Sequence, residues 1–291
     1  MKAFFMEYGK LIVTGALTVT GLMFTTPFAE AVTGSVANFT SRFSEKNEES
    51  MELVTIGLEG SGGGSTPVVD GTNITLSTDA DGNGVVSKGD KITFATSYLY
   101  SGSNTGPTEF LVLNSNGSDV ELFATTNYQN SKFNSSANNT YENSEVDTLL
   151  NTTYYNSLSS NVQSKIKSKS ITQNTWQYTY NGTPADVTVT RLDSSTYKYK
   201  KTGVVGTYDR KVYALDIQDV INYLGTSFTG AQLNSMFFGT NERVNKYAWL
   251  RSAHSGLPTY AFLVTGTYGY IGHSTCSGLD EVRPAFTITL N

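Results

Sequence analysis

The stretch that most constrains this chain is its last forty-odd residues, Tyr247 to Asn291. It consists of short strand-like runs broken by glycine, which reads as compact β-structure rather than helix. Two blocks bracket it, Trp249-Leu250-Arg251-Ser252 and Val282-Arg283-Pro284-Ala285-Phe286. Between them the residue types are unusually mixed: His, Leu, Thr, Tyr, Phe and Cys alternate with glycine. The blocks read as a frame, and residues 253–281 read as a surface that the frame holds out.

Composition narrows the setting. Only 15 % of the 291 residues are charged, and the net charge is −5, so no nucleic-acid footprint is expected. The lysine runs at Lys165, Lys167 and Lys169, and at Lys198, Lys200 and Lys201, read as solvated faces. There is one cysteine, Cys276. It permits no intramolecular disulfide and no cysteine-based metal site.

The N-terminal segment, residues 1–50, reads as membrane-directing. Leu11 to Phe28 is mostly apolar and follows Lys2 and Lys10, which orients the positive end inward. Two readings stand side by side. Ala29-Glu30-Ala31 supplies a small-residue cleavage pattern for a secretory signal. Alternatively, Phe28, Val32, Val36, Phe39 and Phe43 continue one face of a long amphipathic helix. That helix would be a retained anchor, or a pilin-like helix able to self-assemble. Glu7-Tyr8 resembles the start of small Flp-type pilins, although no glycine precedes Glu7. Either reading places the remainder outside the cytoplasm, at the cell surface or secreted. Residues 51–75 read as a short strand, Met51 to Leu58, and a Gly/Ser linker from Gly60 to Pro67. Residues 76–291 form the head.

The head begins with a candidate metal loop. Asp79, Asp81, Asn83, Ser87 and Asp90 fall at positions 1, 3, 5, 9 and 12, Gly84 sits at position 6, and Val85 offers a carbonyl at position 7. This is the spacing of an EF-hand-like Ca2+ loop. Position 12 is Asp rather than Glu, and a strand, not a helix, follows. The competing reading is an Asp/Gly-rich turn; a Ca2+ ion here would be structural, and no cofactor is otherwise required.

Further on, the apolar runs at 110–113 and 120–124 flank Asn114 to Ser118 as a hairpin. Asn143 or Ser144 caps one helix, Ser159 or Ser160 starts a second, and Asp216 caps a third that Gly225 ends. Residues 172–207 read as strands and loops around Asn181-Gly182.

The order Gly89-Asp90-x-Ile92-x-Phe94, the Phe110–Leu113 hairpin, Tyr141-Glu142-Asn143-Ser144, Lys211-Val212-Tyr213, and the two C-terminal blocks resembles a family of bacterial cell-surface domains of unknown function. That family is similar to the C-type-lectin-like fold shared by formylglycine-generating enzyme and the variable proteins of diversity-generating retroelements. The resemblance spans roughly Gly89 to Asn291. It implies an α+β head with small antiparallel sheets and two to three helices, behind the long N-terminal helix. It also implies that Trp249 and Phe286 are core, and that Arg251 and Arg283 tie sheet ends and loops through hydrogen bonds and ion pairs, with Glu281 or Asp280 as partners. Cys276 stands alone, so the copper chemistry of formylglycine-generating enzyme is not carried over. No Glu-Pro-Asn or Gln-Pro-Asp triplet occurs, so Ca2+-dependent sugar binding of the lectin kind is not implied.

No nucleophile elbow, zinc-protease helix or phosphate loop occurs, and we do not expect an enzyme. His254 and His273, with Asp280, can be drawn as a metal or acid/base set, but surface contact is the simpler reading. The expected ligand contacts are His254, Leu257, Thr259, Phe262, Thr265, Thr267, Tyr268, Tyr270, His273, Thr275, Cys276 and Asp280. Aromatic and polar side chains of this kind give rigid contact area, as in paratopes. The expectation is an adhesin-like binder of a protein or glycan, with a face that a retroelement diversifies. A minor pilin-like filament subunit is the alternative.

Overall fold

The computed structural model describes residues 72–180 and 185–290. The readings of the N-terminal helix, the 51–58 strand and the Gly/Ser linker lie outside the described residues. The chain divides at Gly63/Gly64, within the Gly/Ser run, and all described residues belong to the second unit.

In chain order the first half holds β1 (Ile74–Thr78), β2 (Lys91–Phe94), α1 (Thr96–Leu99), β3 (Glu109–Asn116), β4 (Asp119–Ala124) and β5 (Gln129–Lys132). Next come α2 (Glu145–Thr148), a π-helical segment (Leu149–Tyr154), α3 (Tyr155–Ser157) and α4 (Ser160–Lys165). Then follow β6 (Ile166–Lys167), β7 (Lys169–Tyr180), β8 (Val187–Thr190), β9 (Thr196–Arg210) and β10 (Val212–Tyr213). The last part is α5 (Ile217–Leu224), β11 (Ser227–Thr229), α6 (Gly230–Phe238), β12 (Tyr247–His254), β13 (Tyr260–Thr265), β14 (Tyr270–Thr275), β15 (Leu279–Val282) and β16 (Ala285–Thr289).

These strands make two sheets. The seven-stranded sheet runs β1-β2-β3-β4-β16-β10, with β6 also on β16, and all its pairs are antiparallel. The nine-stranded sheet runs β11-β8-β9-β7-β12-β13-β14, with β15 on β12 and β5 on β15. It is mixed, since β11/β8, β7/β12 and β12/β15 are parallel.

This corrects the expected α+β C-type-lectin-like head with small antiparallel sheets. Of the described residues 44 % are strand and 19 % helical, so the head is mainly β. The physical reason lies in the lengths. The segments read as helices at 145–165 do form helix, as the unbroken run Glu145–Ser157 and as α4, but they are outweighed by strand. The 172–207 region instead yields two long strands, of 12 and 15 residues. Its alternating Tyr, Thr and Val favour a pleated surface. Among the described residues no helix is long and apolar enough to cross a membrane.

Local chemistry sets the element ends. Ser144 and Ser159 accept from the backbone N–H of Asp147 and Val162 and start α2 and α4. Asp216 and Thr229 form capping boxes with Asp219 and Gln232 at the starts of α5 and α6, each satisfying orphan donors of a first turn. One continuous core joins both sheets, with Trp176, Trp249, Phe110, Phe123, Phe133 and Phe262 among its largest fully buried side chains. A side chain of this kind contributes about 1.5–3 kcal/mol when fully buried.

The nine-stranded sheet turns back on itself. Tyr199 Oη on β9 donates to Ile271 O on β14 at 2.7 Å, and Leu192 N donates to Tyr268 O at 2.9 Å. The turn between β13 and β14 needs glycine at position 269: φ is +61°, and a Cβ there would lie 2.5 Å from Gly230 O.

Candidate functional site: an aromatic and histidine face

Register decides which side chains meet. In the β13/β14 pair Phe262 lies opposite His273 and Tyr260 opposite Thr275. In the parallel β12/β7 pair His254 lies beside Trp176, which brings Tyr178 of β7 to the same face by the two-residue period of a strand. The result is a ring cluster built from four strands. His254 stacks on Phe262 with centroids 5.4 Å apart and planes within 8°. His273 meets His254 edge-on at 5.1 Å. Tyr178 lies 5.1 Å from His273 and 6.1 Å from His254, and Tyr260 lies 5.2 Å from His273. Tyr197 of β9 extends the row to Tyr178 at 5.9 Å and to Tyr270 at 4.9 Å. His254, Tyr260, His273, Tyr178, Tyr197 and Tyr270 are all half-buried, so each shows part of a ring to solvent.

At the Tyr270 end sits Arg191. Its guanidinium lies 4.2 Å from the Tyr268 ring, 4.8 Å from Tyr270 and 5.4 Å from Tyr197. It also pairs with Asp193 at 2.8 Å. The positive charge is therefore held by three ring faces and a carboxylate.

The β12–β13 turn beside the histidines is fixed from outside. Asn139 Nδ2 donates to the carbonyls of His254, Leu257 and Tyr260 at 3.0–3.2 Å. Gln173 Nε2 in turn donates to Asn139 O at 2.6 Å.

The electrostatics are those of a neutral face. Burial first, and then the neighbouring His273, lowers the pKa of His254 below the usual histidine value. Burial also lowers that of His273. His254 Nδ1 accepts from Gly256 N–H at 3.2 Å, so the neutral ring carries its proton on Nε2. His273 Nδ1 is buried with no hydrogen-bond partner, as are Thr265 Oγ1 and Thr267 Oγ1.

The structure divides the expected contact residues. His254, His273 and Tyr270 join the ring cluster, with Thr275 exposed at its edge. Leu257 and Thr259 are exposed on the turn that Asn139 holds, and Tyr268, 38 % exposed, covers Arg191. Thr267 is half-buried in the β13–β14 turn. Three residues are corrected: Phe262, Thr265 and Cys276 are buried and do not belong to a surface. Phe262 lies under the histidines, and burial pushes the Cys276 thiol up to about 12, which leaves it unreactive. Asp280 stands apart on β15 opposite Ser131 of β5. Burial, and then Glu281, raises its carboxyl to about 6.

Tyr178, Tyr197, Tyr260 and Arg191 belong to the face and escaped the sequence reading. The signal available was the tyrosine alternation at 178/180 and 197/199. What puts it beside residue 273 is strand pairing across about a hundred residues of chain.

The frame residues are buried and bonded. Arg251 donates to Asp219 Oδ2 at 2.7 Å, Ala214 O at 2.6 Å and Thr172 O at 3.0 Å. Arg283 donates to Glu281 Oε2 and to Thr125 O. Trp249 Nε1 donates to Ser131 O, and Phe286 packs against Phe110.

The acidic loop folds around its carboxylates. Asp79 accepts from the N–H groups of Gly82, Asn83 and Gly84, and these hold its carboxyl below the usual range, Gly84 most strongly. Asp90 is buried and accepts from Ala80 N and Ser87 N, both at 2.7 Å. Ser87 Oγ bridges Asp81 and Asp90, and Asn83 Oδ1 accepts from Val85 N. One carboxylate oxygen from each of Asp79, Asp81 and Asp90 lies within 4.8 Å of the others. Oxygens converging in this way suit a hard cation.

The family model "Domain of unknown function (DUF6273)" matches residues 109–290, from β3 through β16. No curated protein and no solved structure matches the chain. Nothing in these comparisons links it to C-type-lectin-like proteins or to formylglycine-generating enzyme.

Proposed function

The chain belongs to the DUF6273 family, and we propose that its aromatic and histidine face binds a ligand outside the cell. In this reading the protein is a surface-displayed, adhesin-like module rather than an enzyme. The observation that carries it is the ring cluster of Tyr178, His254, Tyr260 and His273, half-exposed on a rigid sheet with an unpartnered imidazole nitrogen. Rigid, half-exposed aromatics with polar handles are common anchors of an interface. Among the described residues no nucleophile with an adjacent base faces the cluster, and burial is the main cause that lowers the pKa of both histidines.

The ligand class in this proposal is a protein or a glycan. Attachment to the membrane, or assembly through residues 1–50, rests on the sequence pattern alone. Retroelement diversification of 253–281 must spare Phe262, Thr265 and Cys276, which packing fixes. The loop from Asp79 to Asp90 is proposed to hold a structural Ca2+ ion, supported by its converging carboxylates.

The test is a glycan and protein array probed with the full chain and with Tyr178→Ala and His273→Ala. The expected outcome is a defined set of bound features, lost in both variants while their melting temperatures stay close to wild type. Binding that survives both substitutions would place the ligand elsewhere.

A further inference from the structure

The end of α5, one side of α6 and strands β2 and β3 line an open cleft of about 270 Å³. Register and helical spacing build it. Lys91 of β2 lies directly opposite Leu111 of β3, and both line the cleft. Gln232, Ser235 and Met236 of α6 line it too, and their i, i+3, i+4 spacing puts them on one side of that helix. Tyr223 and Leu224 join from the end of α5, and Asn241 from the segment after α6. None of these residues belongs to the ring face.

The chemistry of this lining is neutral and hydrogen-bonding over an apolar base. Leu111 and Met236 are buried. Tyr223 Oη, Gln232 Nε2, Ser235 Oγ and the Asn241 amide have no hydrogen-bond partner among the described residues. Gln232 is also held in place, because its Oε1 accepts from Thr229 N at 2.9 Å in the capping box of α6. That leaves Nε2 to donate. Lys91 is the one ordinarily charged residue of the lining, and its Nζ pairs with Glu109 Oε1 at 3.2 Å. Lys88, beside the cleft, is committed to Asn222 O at 3.2 Å and to the Tyr223 ring. A charged guest therefore finds no free counter-ion here to replace its water. Size selects as well. Clefts for drug-sized molecules span about 300–1,000 Å³, so this one suits a smaller guest. Such a guest needs groups that donate and accept at several points, and C–H surface for Leu111, Leu224 and Met236. A sugar ring has both, since each hydroxyl is donor and acceptor at once.

We propose that this cleft binds one neutral sugar unit, with Tyr223, Gln232, Ser235 and Asn241 bonding its hydroxyls. This inference does not depend on the ring-face reading.

The test titrates the full chain with glucose, galactose, mannose, fucose and N-acetylglucosamine, read by saturation-transfer NMR and calorimetry. Acetate and inorganic phosphate are the charged comparators. Ser235 and Asn241 are exposed, so Ser235→Trp fills the cleft and Asn241→Ala removes a bonding group without touching the core. Both variants should melt close to wild type. The expected result is saturable binding of at least one sugar. It should be weaker by about tenfold or more in Ser235→Trp, and by about threefold or more in Asn241→Ala, the loss of one hydrogen bond. Tyr178→Ala should leave it unchanged, whatever that variant does to binding at the ring face. No sugar bound, binding of the anions alone, or sugar binding that either cleft variant leaves intact overturns the proposal. Loss of the sugar in Tyr178→Ala would place it on the ring face and overturns the proposal too.

Discussion

Arg251 and His254 are three residues apart on β12, yet their polar atoms have opposite fates. Arg251 is 3 % exposed and donates to two carbonyls and a carboxylate. Asp219, its acidic partner, also closes the capping box of α5. Asp216 beside it accepts from Asn174, Trp176 Nε1 and Gln218. Past the end of the strand the pattern reverses. His254 has one weak partner, and His273 Nδ1 beside it has none. Buried polar groups are normally bonded, and those that are not call for an explanation. The contrast teaches that the frame's arginine is bonded within the chain, while the face shows half-buried rings whose polar atoms make few bonds.

Breaking the frame should give the largest effect. Arg251→Met leaves the buried Asp216 and the half-buried Asp219 without their cation, a loss of about 3–5 kcal/mol; urea melts should show a large fall in midpoint or no folded protein at all. Breaking the face should do the opposite. Tyr178→Ala is expected to weaken ligand binding by about 2 kcal/mol or more, as truncation of an interface anchor does, and to shift stability less than any frame variant does.

The acidic loop offers an intermediate case. With Ca2+ at about 100 times its dissociation constant, mass action adds about 2.7 kcal/mol of stability. Melting with Ca2+ and then with chelator should reveal that difference, and Asp79→Asn should shrink it. Identical melts with and without Ca2+ would assign the loop to turn formation alone.

The smallest effect is in pH. Burial lowers the pKa of both histidines, so below about pH 6.5 the unfolded chain binds more protons than the folded one. Their contribution is full above that value and is lost as pH falls through the folded values. Asp280 has the opposite sign. Its folded carboxyl is raised to about 6 from 3.8, so its contribution is present below the unfolded value and lost as pH rises through about 6. The two trends oppose each other between roughly pH 4 and 6.5. Asp280→Asn should therefore steepen the acid-side loss of stability, read by denaturant melts at several pH values.

Local features were legible in the sequence because they are short-range. The Ser144, Ser159 and Asp216 caps, the Gly225 stop and the β3/β4 turn each depend on residues within a few positions. Fold class was not legible. Apolar spacing at 146–166 matches helix and forms it, but the long β7/β9 pair that tips the class depends on pairing between strands, which local spacing does not show. The face was half legible for the same reason. His254 and His273 stand in the framed C-terminal stretch, but Tyr178 and Tyr197 reach them only through the parallel β7/β12 pairing and the return of β9 onto β14. The errors at Phe262, Thr265 and Cys276 are errors of strand facing and burial, which composition does not encode.

The most direct measurement of the central claim is paired: array binding and thermal melting of the full chain carrying Tyr178→Ala, beside the wild type. A frame bonded within the chain and a face given over to a ligand predict lost binding with a melting temperature little changed. Retained binding with a lowered melting temperature would mean that the rings of Tyr178, His254 and His273 serve only to pack the sheet, and would contradict the account.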